Sequence, residues 1–99
     1  MCPVRFWVLN VRLTEIEKAR GLDFKDKETL QAIDKHVGQR LRDLRRHHAL
    51  SQQKLGNHLG ISFQQVQKYE NGTNRIGASR LYAISKTFRV SLNYFFRNL

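Results

Sequence analysis

Between Leu59 and Phe63 the chain reads Gly-Ile-Ser, which leaves room for a corner and nothing else. Upstream, "QQKLGNHL" follows a capping Ser51 and sets Leu55 and Leu59 on one helical face. Gly60 is placed to end that helix in the left-handed conformation. Downstream, Ser62 with Gln65 forms an S-x-x-Q capping box that opens a third helix, and Gly72 closes it. Helices this short are not stable alone in water, so their apolar faces must meet other elements of the same chain.

Those elements are legible on both sides. Asp34 is expected to cap a first helix through "KHVGQRLRDLRRHH", with Val37, Leu41 and Leu44 at i, i+4, i+7. His47 and His48 end it, where positive charge suits the helix dipole. After the loop "TNRIG", a fourth helix "ASRLYAISKTF" turns Leu81, Ile84 and Phe88 inward, and Ser91 caps a last helix, "LNYFFRN". Gly56, inside the second helix, costs about 1 kcal/mol relative to alanine. Its presence predicts a close backbone approach there, as when the third helix packs across the second. The whole is an all-α domain of five short helices over residues 34–99, with the second and third in helix-turn-helix arrangement.

Residues 1–33 read differently. "PVRFWVLNVRL" suits a short strand, and Thr14 with Glu17 forms a capping box for a short helix that Gly21 would stop. "DFKDKE" reads as a charged linker. The expected organisation is therefore an N-terminal extension, 1–33, and a helical domain, 34–99.

Charge separates the same two regions. Residues 1–33 hold six basic and five acidic groups, a net +1, whereas residues 34–99 hold twelve and three, a net +9. Such a block points to a polyanionic partner. No stretch approaches the roughly 20 apolar residues of a membrane span, and no signal peptide is read in the apolar but Arg-interrupted N-terminus. Cys2 is the sole cysteine, which fits a reducing compartment, and the cytoplasm is the expected location.

On the residues "RLRDLRRHHALSQQKLGNHLGIS", "FQQVQKYENGTNRIGASRLYAIS" and "VSLNYFF", the chain resembles the Cro/phage-repressor type of helix-turn-helix regulator, the xenobiotic-response-element family. The resemblance spans residues 34–97, and the block "TNRIGASRL" looks like regulators common in alphaproteobacteria. It implies a compact five-helix, lambda-repressor-like DNA-binding domain with a short N-terminal extension. Two departures stand out. Such proteins usually have alanine where Gly56 stands, and often glycine where Ala49 stands.

In the third helix, Val66 and Tyr69 are expected to point to the core, with Gln64, Gln67, Lys68 and Asn71 on the opposite side. The resemblance places the start of this helix in the major groove. An amide there can accept from adenine N6 and donate to N7, and a lysine can donate to guanine. The expected base readers are Gln64 first, then Lys68, with Gln67 and Phe63. Phe63 suits either a thymine methyl or a satellite of the core. Gln52, which matches the family's phosphate-binding glutamine, joins Lys54, Asn71, Asn74 and Arg75 as expected phosphate contacts, with Gln65 secondary because the capping box can occupy it. By resemblance, Arg45 and Glu70 form a largely buried structural ion pair.

Catalysis is not expected. The four histidines and Cys2 show no metal-ligand spacing, and three acids in residues 34–99 are too few for a metal-dependent nuclease. No cofactor or metal is expected. The reading is a sequence-specific double-stranded DNA-binding transcriptional regulator, a repressor acting as a homodimer on an inverted-repeat operator. Leu92, Phe95, Phe96 and Leu99 are its expected dimer interface, and Tyr94 sits at the edge with its hydroxyl in water. The competing reading is an antitoxin that binds a protein toxin through Phe6, Trp7, Leu9 and Leu13 in residues 1–33 and also binds its own promoter. RNA is disfavoured because no aromatic stacking platform is present.

Overall fold

A computed structural model describes residues 24–99. The chain divides between Leu30 and Gln31, and the unit Gln31–Leu99 carries the site described below. The expected strand and capped helix of residues 1–21 lie outside the described residues.

All regular structure among the described residues is helical: α1 (Lys27–His47), α2 (Gln52–Leu59), α3 (Phe63–Asn71), α4 (Ala78–Phe88) and a 3-10 helix, Leu92–Phe96. The first helix begins earlier than expected. Asp34 does not cap it. The carboxylate of Asp26 accepts from the backbone N–H of Glu28 at 3.0 Å, and the N–H of Leu30 bonds the Asp26 carbonyl, so the cap lies within the segment read as a linker. Lys, Glu, Leu, Gln and Ala in 27–32 are good helix formers, and nothing between Asp26 and Asp34 interrupts them.

The central caps form where the sequence places them. Ser51 accepts from Lys54 N and Ser62 from Gln65 N, satisfying one orphan donor at each helix start. Gly60 takes φ 72° and its N–H returns to Gly56 O, which makes the corner. Ala49 also adopts a left-handed conformation, φ 54°, so the alanine in place of glycine carries a strain of about 1 kcal/mol.

The core gathers Val37, Leu41 and Leu44 of α1, Leu55 and Leu59 of α2, Val66 and Tyr69 of α3, Leu81, Ile84 and Phe88 of α4, and Phe95. Leu41, Leu55, Val66, Ile84 and Phe95 are completely covered, each contributing about 1.5–3 kcal/mol of burial. A methyl group on Gly56 would meet Ile61 O at 2.6 Å, so the close approach there is the backbone of the α2–α3 corner folding back onto α2. That is a narrower cause than α3 crossing α2.

The C-terminal segment corrects four expectations. It is a 3-10 helix rather than an α-helix, and Ser91 makes no side-chain cap. Phe95 fills the core and has no surface to offer a partner. The Tyr94 hydroxyl is not in water but donates to Arg40 O at 3.1 Å, while Arg40 lies over the Tyr94 ring and its Nε donates to Tyr94 O at 3.0 Å. His36 Nε2 donates to Arg97 O at 2.7 Å. The last turn is thus latched to α1.

Candidate nucleic-acid interface

One side of α3 is locked. Val66, Tyr69 and Glu70 are buried, and Gly38 of α1 lies so close that a methyl group there would overlap Tyr69 O and come within 2.8 Å of Glu70 O. The C-terminal end of α3 rests on α1 as well, since a methyl on Gly72 would stand 2.7 Å from Lys35 Cα. Gly38 is thus a positioning residue not among those the sequence singled out. Its signal is a glycine inside a helix, the same signal that pointed to Gly56.

The other side of α3 is open. Gln64, Gln67, Lys68 and Asn71 are exposed, and their side chains make no hydrogen bond or ion pair with the described residues. Phe63 is 45% exposed at the helix start, so it is not a core satellite. The open side therefore carries donors and acceptors together with one apolar ring, free of intramolecular obligations.

At one flank the expected ion pair is present. Arg45 Nε donates to Glu70 Oε2 at 2.6 Å and its Nη2 to Oε1 at 3.1 Å, with Nη1 on Leu50 O at 2.7 Å. Both side chains are nearly covered, at 11% and 2% exposure. Gln52, expected only as a phosphate contact, also donates its Nε2 to Glu70 Oε1 at 3.1 Å. A carboxylate can only accept, so Glu70 fixes which end of the Gln52 amide faces it. The remaining Nε2 hydrogen stays available at the start of α2. Lys54 is exposed in the same first turn.

At the other flank the loop after α3 is pinned. Thr73 N and Asn74 N both donate to Lys68 O, at 3.0 and 3.2 Å, and Ile76 packs on the core. The Gln65 side chain does not reach back to complete the capping box. Instead its Oε1 accepts from Asn74 Nδ2 at 3.4 Å. Arg75 is exposed, with Nε on Asp34 Oδ2 at 3.2 Å.

No group of three or more His, Cys, Asp or Glu suited to a metal occurs among the described residues. The rings of His47 and His48 meet edge-on at 5.5 Å, and His48 packs 5.0 Å from Phe88. Phe6, Trp7, Leu9 and Leu13 lie outside the described residues. No helix among the described residues is long and apolar enough to cross a membrane.

Comparison with known proteins gives consistent matches. The Helix-turn-helix family model matches residues 41–95. An uncharacterized transcriptional regulator in the ATPase CF(0) region of Rhodospirillum rubrum is 51% identical over 74 residues, covering 75% of this chain and 68% of that protein. The uncharacterized HTH-type transcriptional regulator y4wC of Sinorhizobium fredii is 54% identical over 67 residues, 68% of this chain but 47% of that protein. The chain thus spans about half the length of that second relative. Among solved structures, the restriction-modification controller protein C.AhdI from Aeromonas hydrophila superposes with a TM-score of 0.61 at 26% identity, covering 66% of this chain and 98% of that one.

Proposed function

The chain belongs to the Helix-turn-helix family of DNA-binding transcriptional regulators, and on that premise we propose that it acts as a repressor, binding an inverted-repeat operator as a homodimer in the cytoplasm. The observation that carries the reading is the open side of α3. Gln64, Gln67, Lys68 and Asn71 stand free on a helix whose opposite side is fixed to α1, within a segment of net +9. In this reading Gln64 and Lys68 read base edges in the major groove, with Gln67 beside them and Phe63 against a thymine methyl. Gln52, Lys54, Gln65, Asn71, Asn74 and Arg75 hold the backbone on the two flanks.

Readers and clamps separate experimentally. Gln64→Ala is expected to cost about 1–3 kcal/mol on a site selected from a random pool and to relax base preference there. Arg75→Ala is expected to weaken all sequences about equally and to reduce the salt slope by about 1. For the unmodified dimer, neutralising about 6–10 phosphates, log K should fall with log[salt] at about −0.9 per phosphate. Affinity independent of salt, or equal loss on selected and random DNA for Gln64→Ala, would contradict these roles.

One recognition helix reads too few base pairs to select a genomic site, and a two-fold axis doubles the contact without new sequence. With Phe95 in the core, the proposed interface is Leu92, Phe96 and Leu99, which are 42%, 42% and 62% exposed on the latched C-terminal turn. Leu92→Asp with Phe96→Asp is expected to leave the monomer folded, shift sedimentation to the monomer and weaken operator binding at least about tenfold, since half-sites about 10 bp apart need both recognition helices. A doubly substituted chain that still sediments as a dimer would place the interface elsewhere.

A further inference from the structure

Arg45 and Arg75 are each anchored through Nε to a carboxylate, but their remaining nitrogens have opposite fates. In Arg45 the second nitrogen of the same edge is also on Glu70 and the last is on Leu50 O, so each guanidinium nitrogen is engaged inside the protein. In Arg75 only Nε is engaged, by Asp34 Oδ2 at 3.2 Å. Both Nη groups are without partners among the described residues, and the side chain is 70% exposed while that of Asp34 is 19% exposed. A guanidinium held by Nε keeps its Nη1–Nη2 edge intact, and that edge matches two phosphate oxygens.

Asp34 lies upstream of the matched segment 41–95 and is present beside the α3–α4 loop because α1 extends back to Lys27. The base of Arg75 is fixed too, between Asn74, whose N–H and side chain are both engaged, and Ile76, which packs on the core. We propose that Asp34 is a positioning residue for DNA binding: it holds Arg75 by Nε so that the free Nη edge faces a backbone phosphate. The proposal rests on the assignment of Arg75 as a phosphate contact. The benefit is preorganisation, because a long flexible side chain already restricted in the free protein loses less freedom when it binds. The cost is a negative charge near the phosphates, and the sign of the Asp34→Asn effect decides between the two.

The test is a double-mutant cycle on the full chain, measuring affinity for a labelled duplex selected from a random pool and for a scrambled duplex of equal length. Asp34→Asn is expected to weaken both by a similar factor, about threefold to tenfold, although it removes a charge that repels DNA. The effect should vanish in the Arg75→Ala background, and also in Arg75→Lys, which keeps the charge and loses the fork. Thermal melts of the same variants report folding independently. Unchanged or tighter binding by Asp34→Asn would overturn the proposal, as would a loss that persists without Arg75 or an Arg75→Ala chain that binds like the wild type. A wild-type chain that binds neither duplex would instead remove the DNA-binding reading itself, and the proposal with it.

Discussion

Arg45→Met is expected to cost about 3–5 kcal/mol of folding stability, measured by chemical denaturation, which is a large part of the about 5–15 kcal/mol that holds a domain together. The reason is what the substitution leaves behind. Glu70 is almost fully covered between α1 and α3, and two of its three polar contacts come from Arg45. Without the guanidinium a buried carboxylate keeps only the Gln52 amide. Replacing both partners, Arg45→Met with Glu70→Leu, is expected to recover most of the loss, since a well-packed apolar pair is often neutral relative to a buried ion pair. The double variant should nevertheless bind DNA less well, because Gln52 no longer has a carboxylate to orient its amide. A loss below about 1 kcal/mol for Arg45→Met would mean the pair behaves as a solvated surface bridge.

Gly38→Ala is the second large effect. Alanine is the better helix former by about 1 kcal/mol, so a surface site would gain stability from this change. Here the added methyl would overlap Tyr69 O and crowd Glu70 O and Glu70 C at 2.8 and 3.0 Å. These are backbone atoms of α3 and cannot rotate away, so relief requires α3 to move off α1. We expect a net destabilisation of about 3 kcal/mol, at the upper end of ordinary overpacking, together with weaker and less selective DNA binding because α3 is displaced. Thermal unfolding and binding to the selected duplex check both parts. A stabilised Gly38→Ala chain with unchanged affinity would show that the α1–α3 approach is looser than the structure has it.

Asp26 carries an ordinary cap signal, but it stands in a run of charges, and the later Asp34 competes for the same role. Asp34 was legible as a polar residue near the start of a helix, while its service to Arg75 was not. Phe95 and Phe96 are identical neighbours in sequence. Only the docking of the last turn against α1, through Tyr94, Arg40 and His36, buries the first and exposes the second.

What the sequence determined by itself is what one helical turn can encode. The caps at Ser51 and Ser62, the corner at Gly60, the inward stripes and the polar side of α3 all depend on residues within about four positions of each other, where backbone geometry fixes the contact. The family pattern added the Arg45–Glu70 pair. The tertiary structure alone decided the partners that lie far apart along the chain: Gly38 against Tyr69, Asp34 with Arg75, Gln52 on Glu70, and the C-terminal turn on α1. Those contacts depend on how far each helix extends and at what angle two helices cross. Both are set by the packing of the whole core, because no local pattern specifies which distant backbone a given side chain will meet.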